Sequence, residues 1–394
     1  MPDQKDTRRH FVRNVIASSA GVTLGSSLAN GKEEPGSESK LKIHPEEWRN
    51  RQSDMSYRRF GNTGLMVSEI VFGTTPWKSD RYLKIIEAGL EKGINYIDTA
   101  PAYSKGEAER IIGRFIKQSG KRDQFFLSNK ISFYDEYMRR LSLEMLKDLP
   151  AEKQSELDKK ADQMIEERGV LKPGYHFKYF GGQDRKFKVV YLRHLVIKEY
   201  GSLRKWKTQI QSHSKQLVEN SLNATQTDYF DVLHCPHGTA MPEELEDENI
   251  REVLEDLKTE GKIRFSATSM HNDVPAILEK AIELGYYDAA MFAYNIANHA
   301  ALDIPVRKAK EAGMGLVAMK VARIVSNPGM GDVPQWRIDK LNAAIGEERS
   351  LQSKAYLWAL QNPNLSCCVS EMPTPEAVAD NASVTGRKVE IGLV

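Results

Sequence analysis

The sequence predicts an α/β fold, a (β/α)8 TIM barrel with an N-terminal hairpin and a large, mostly helical insertion after the third strand. Two observations carry the barrel. Eight short runs rich in Val, Ile, Phe or Leu recur from Ser56 onward, and most are separated by stretches with apolar residues at helical spacing. Strands that alternate with helices argue for a parallel sheet, and eight of them argue for a closed one.

The elements follow in order. "YRRFGNTGLMVSE" carries a Gly-Asn-Thr-Gly turn, which predicts a small hairpin capping the bottom of the barrel. The strands expected next are "EIVFG", "NYIDT", "QFFLSNK", "YFDVLH", "IRFSAT", "AAMFAYN", "GLVAMK" and "SCCVS". Helical stretches such as "DRYLKIIEAGLEKG" and "NDVPAILEKAIELG" end at glycines that stop them. One interval breaks this rhythm. Residues 133–208 are far too long for an ordinary loop and contain helical patterns of their own, so they read as an insertion at the catalytic face, a lid or substrate subdomain. Its second part, residues 172–207, has ten Lys or Arg against two Asp or Glu. That is either a solvated face or a surface that attracts an anionic substrate, a polymer or a partner.

Composition bounds the rest. A chain of 394 residues with 40% hydrophobic and 28% charged residues can bury a sizeable core, and a net charge of +2 gives no reason to expect a nucleic-acid partner. Cys235, Cys367 and Cys368 have neither disulfide-framework nor metal-ligand spacing and read as small core residues; no metal is expected. At the N-terminus, "TRRHFVR" precedes the short apolar run "NVIASSAGVTLGSSLA". The paired arginines and the small Ser27 and Ala29 match a twin-arginine export signal over 1–29, followed by a Gly, Ser, Lys and Glu-rich linker over 30–55 and the barrel over 56–394. The apolar run is short for a stable membrane span, so a mature protein exported to the periplasm by the twin-arginine (Tat) machinery is expected.

Catalytic groups in such a barrel come from the C-terminal ends of several strands. Asp98 ends the second strand, Lys130 the third and His234 the fourth, and Tyr103 lies in the loop after the second, so four titratable groups should converge on one mouth. The blocks that hold them, "GINYIDTAPAYSKGEAERIIGRFIK", "FFLSNK", "TQTDYFDVLHCPHG" and "GKIRFSATS", resemble those of the aldo-keto reductases, as does "YNIANHAALDIPVRKAKEAGMGLVAMK". The resemblance covers most of residues 56–386 outside the insertion. It implies that Tyr103 donates a proton to a substrate oxygen while a nicotinamide nucleotide, NADPH or NADH, exchanges hydride with the carbonyl carbon. Lys130 would favour the phenolate, Asp98 would hold the ammonium, and His234 would orient the carbonyl. Ser269, Lys320 and Asn381 would stand on the cofactor side. The substrate would be a small molecule, either anionic or a carbohydrate-like polar metabolite.

The cofactor side departs from the family pattern. Met270 follows Ser269 where the family has asparagine, and Met291 replaces a glutamine, so two amides become thioethers, which accept hydrogen bonds only weakly. Glu371 stands where the family has glycine, and residues 367–386 contain no Lys or Arg. A carboxylate repels a pyrophosphate, which argues against NADPH binding of the usual kind unless Arg323, Arg387 or the insertion supplies charge. Two other readings therefore stand beside the oxidoreductase: redox-neutral or cofactor-independent acid–base chemistry, and a barrel that only binds.

Overall fold

The computed structural model describes residues 42–201 and 203–392. The export signal expected over 1–29 lies outside them. The described chain opens with β1 (Glu47–Trp48), β2 (Tyr57–Arg59) and β3 (Leu65–Ser68), a small sheet in the order β1-β3-β2. β2 and β3 form the expected antiparallel hairpin. β1 runs parallel to β3, so part of the span expected as linker is built into this sheet. Composition gave no sign of that, because the pairing partner and the Arg49 contacts lie elsewhere in the sequence. The Arg49 guanidinium donates to the Phe125 carbonyl at 2.8 Å and pairs with Asp231 at 3.2 Å. Arg122 and Arg264 pair with the same fully buried carboxylate at 3.0 and 2.7 Å. An anion surrounded by three guanidiniums, with the Leu127 amide donating as well, is a buried charge whose acceptor sites are filled.

Eight parallel strands then close on themselves: β4 (Ile70–Gly73), β5 (Tyr96–Asp98), β6 (Phe126–Lys130), β7 (Phe230–Thr239), β8 (Ile263–Met270), β9 (Ala289–Ala293), β10 (Gly315–Met319) and β11 (Cys367–Ser370). Each matches one of the eight expected runs. Their inward residues, among them Val71, Tyr96, Phe126, Val232, Phe265, Val317 and Cys367, form one core with Phe60, Leu65 and Val67 of the hairpin region. The hairpin therefore plugs the barrel floor, where the Phe60 and Tyr96 rings lie 5.8 Å apart.

The helices cover the outside, beginning with α1 (Arg81–Glu91) and α2 (Glu107–Ser119). In α2, Ala108, Ile111, Ile112 and Phe115 are buried at helical spacing, and Gly120 ends the helix in the left-handed conformation at φ 67°. Gly113 sits where a Cβ would stand 2.3 Å from the Ala224 carbonyl oxygen, so its lack of a side chain lets two helices approach closely.

The insertion is helical, as expected: α3 (Tyr134–Lys147), α4 (Ala151–Arg168) and α5 (Gln183–Tyr200) precede α6 (Lys207–Thr225), which leads back to the barrel. Leu157, Phe187, Val190, Tyr191, Leu195 and Val196 give it a core of its own, shared with Ala240 and Met241 at the end of β7. It is fastened to loops at the C-terminal ends of the strands. Gln183 donates to Asn272 at 2.6 Å, Asn295 and Asn298 donate to the Tyr179 hydroxyl at 3.3 and 3.1 Å, and the Tyr175 hydroxyl donates to Asp273. Part of its basic surface is neutralised, by Lys178 with Asp184, Lys188 with Asp162 and Arg193 with Glu244.

Candidate active site

Asp98 and Lys130 are the last residues of adjacent strands β5 and β6, and the barrel buries both almost completely. Lys130 Nζ donates to the two carboxylate oxygens of Asp98 at 2.5 and 2.6 Å and to the Thr99 carbonyl at 2.9 Å, so all three ammonium protons have acceptors. Ser128 Oγ donates to Asp98 at 2.7 Å. Burial lowers the Lys130 pKa and the Asp98 charge opposes that fall, which leaves a paired, desolvated ammonium.

Tyr103 starts a short turn after β5 in which Ser104 and Lys105 both adopt left-handed backbone, at φ 48° and 55°. Ser104 Oγ ties the turn to the Thr75 carbonyl at 3.0 Å. The Lys130 ammonium lies 5.0 Å from the centre of the Tyr103 ring. Even so, burial, reinforced by the Asp98 charge, holds the phenol pKa well above its ordinary value. The resemblance implied that Lys130 would favour the phenolate; burial and the Asp98 charge act on the phenol in the opposite direction.

His234 sits within β7, with Nδ1 3.2 Å from the Thr268 carbonyl. A carbonyl only accepts, so the Nδ1 carries the proton and Nε2 is left as a lone pair, buried and without a partner among the described residues. Burial, with the Lys130 charge, lowers its pKa to about 4, so the ring is neutral at physiological pH. In this tautomer His234 accepts a hydrogen bond rather than donating one.

A cleft opens beside Asp98 and Tyr103, lined also by Gly73, Thr75, Met291, Lys320, Arg323, Glu371 and Asn381. Lys320 and Asn381 both line it. Asn381 Nδ2 donates to Ser370 Oγ at 2.8 Å. Ser269 is buried, accepts from the Gly238 amide at 3.3 Å, and does not line the cleft. Lys320 adopts left-handed backbone at φ 62°, its carbonyl accepts from the Arg323 amide at 3.0 Å, and its ammonium makes no hydrogen bond or ion pair among the described residues. Burial and the neighbouring Arg323 bring its pKa down to about 8. Glu371 faces the Arg323 guanidinium at 3.9 Å, which offsets the repulsion that its charge would exert on a phosphate. Arg387 is engaged elsewhere, with Glu347 at 2.7 Å.

One residue escaped the sequence reading. His237 packs edge-on to Tyr103, with ring centres 6.0 Å apart, and its Nδ1 lies 2.8 Å from Ser132 Oγ. Three residues after His234, regular alternation would place it on the opposite face of the strand. The pairing of β7 with β8 shifts register between His234 and His237, and that irregularity changes the alternation. The sequence signal was the "HCPHG" run itself, a second histidine and a glycine where regular strand should have continued.

Residues 69–164 match the model of the aldo/keto reductase family. This matched segment contains Asp98, Tyr103 and Lys130, and ends inside the insertion. The aldo-keto reductase YhdN of Bacillus subtilis is 42% identical over 84 residues, 19% of this chain and 25% of that protein. The aldo-keto reductase AMT2 of Alternaria alternata is 27% identical over 244 residues, 59% of this chain and 54% of that protein. The chain therefore spans about half or less of these relatives. Among solved structures, an aldo-keto reductase from Bacillus halodurans superposes with a TM-score of 0.56 at 20% identity, covering 85% of this chain and 92% of that one. An aldo/keto reductase from Klebsiella pneumoniae, solved with NADP and acetate, gives 0.55 at 17%, covering 85% and 92%. At these identities the structural likeness is one of fold.

Proposed function

We propose that this protein is an aldo/keto reductase-type oxidoreductase that interconverts a carbonyl and an alcohol with a nicotinamide nucleotide. The observation that carries the reading is the Asp98–Lys130 pair placed under a protonated Tyr103 at the head of a cleft that also holds Lys320 and Arg323. The match of residues 69–164 to the family supports it, and structural neighbours solved with NADP and NADPH support the cofactor class.

The residues present fit such a nucleotide. Lys320, whose ammonium makes no ion pair among the described residues, and Arg323 offer charge to phosphate, while Thr75 and Asn381 add polar groups along the cleft. The bound nucleotide would supply or accept the hydride. Tyr103 holds a proton on its hydroxyl, ready for a substrate oxygen that gains electron density. Lys130 lowers the cost of negative charge forming on that phenol, and Asp98 keeps the ammonium in place. His234, as an acceptor, suits an alcohol hydroxyl rather than a bare carbonyl oxygen.

Lys320 gives this reading a pH signature. Protonated below about 8 and neutral above it, it should attract phosphate less as pH rises. The dissociation constant for NADPH, measured by fluorescence titration from pH 7 to 9.5, is expected to rise across pH 8, and Lys320→Met should flatten that rise. An equal slope in both proteins would remove Lys320 from the nucleotide site. Export is part of the proposal and rests on "TRRHFVR" and the small residues that follow. Replacing Arg8 and Arg9 by lysine should retain the full-length precursor in the cytoplasmic fraction; periplasmic protein at the wild-type level would discard the signal.

A further inference from the structure

The cleft accounts for only part of the barrel mouth. The insertion, with His271 after β8, builds a second wall beside it. There the Phe177 and Tyr179 rings lie 4.9 Å apart, and Tyr179 and Phe180 both pack on His271, at 6.2 and 5.8 Å. Cations end this aromatic row on both sides. Lys186 Nζ stands 5.1 Å over Phe180, and the Arg337 guanidinium lies 4.5 Å over Phe177. Arg337 Nε and Nη1 are buried with no hydrogen-bond partner among the described residues, a costly state that a bound anion would relieve. Lys186 makes no ion pair there, although Lys178 and Lys188 on either side of it in sequence each have one. Its charge opposes protonation of both His237 and His271, which places it within electrostatic reach of the imidazole that touches Tyr103.

We propose that this shelf binds the anionic group of the substrate, so that the protein acts on carbonyl compounds that carry a carboxylate, with Lys186 as a specificity-determining residue. The inference rests on the reductase reading and adds the substrate class to it. Aromatic faces suit the body of a ring-shaped or polyol substrate, and the flanking cations suit its charge. A nucleotide phosphate would bring the same chemistry, but Lys320 and Arg323 already serve the cleft, whereas Lys186 and His271 lie within electrostatic reach of His237, which packs on Tyr103. The insertion is held in place for this task by the Gln183–Asn272 bond, one helical turn before Lys186.

The test compares 4-carboxybenzaldehyde with 4-formylbenzamide, two aldehydes of nearly equal shape and different charge, using NADPH as reductant. The carboxylated aldehyde should have the higher kcat/KM. Lys186→Ala should lower the ratio of the two kcat/KM values about tenfold, chiefly through KM, as loss of one charge-assisted contact implies. Lys186→Arg should retain the preference. An unchanged ratio in the alanine variant, or a loss that appears in the NADPH dissociation constant instead, overturns the proposal. If neither aldehyde is reduced, the reductase reading fails by itself and calorimetric binding decides the shelf. Binding of terephthalate but not terephthalamide, lost in Lys186→Ala, upholds it; equal binding of the two, or none, overturns it.

Discussion

Replacing Tyr103 with phenylalanine is expected to lower turnover by about 10²- to 10⁴-fold, the usual contribution of a positioned proton donor. The ring, its contact with His237 and its place over the Lys130 ammonium all survive the change. Only the hydroxyl is lost, so the NADPH dissociation constant should stay within about twofold, well short of what losing a hydrogen bond to a charged group would cost. Steady-state reduction of an aldehyde and nucleotide titration of the same preparation check both halves. Retained turnover would remove the donor assignment and favour a redox-neutral or binding role. The raised phenol pKa adds a sign: with the proton held far above pH 7, saturated reduction should show no loss from phenol ionisation up to about pH 9. A fall centred near neutrality would mean that Lys130 does favour the phenolate.

Asp98→Asn should be damaging for a different reason. Lys130 and Asp98 expose 1% and 2% of their side chains, so neither charge has water to replace its partner. Removing the carboxylate leaves a buried ammonium with one neutral acceptor in its place, a loss of about 3–5 kcal/mol in comparable buried pairs. The ammonium can escape by giving up its proton, since burial already lowers its pKa, and turnover then falls because the charge under Tyr103 is gone. Urea unfolding should therefore show a lower midpoint, and activity should drop with it. The double variant Asp98→Asn/Lys130→Met should recover much of the stability and none of the activity. A single variant as stable as the parent would show that the pair is hydrated.

The barrel was legible because its cause is local. Each of the eight strands is a short apolar run, and helices such as Arg81–Glu91 and Glu107–Ser119 carry an apolar stripe, patterns that residue order alone displays. Asp98 and Lys130 were legible for the same reason: a residue at the end of a parallel strand reaches the barrel mouth whatever surrounds it. The start of the folded region was not, because β1 is held by partners at Leu65 and Met66, and Arg49 by Asp231. Nor was His237, whose position depends on how β7 and β8 slip past each other. The charges at the mouth were the least legible of all. In sequence, Glu371 argued against a phosphate; in space, Arg323 faces it and Lys320 stands in the same cleft. Sequence by itself determined the elements, their order and the residues at strand ends, since these follow from spacing along the chain. Only the tertiary structure decided which charges meet, how far burial moves their protons, and that an insertion beginning 30 residues after Tyr103 reaches over the same mouth, because electrostatic energy depends on distance and solvent exclusion in space.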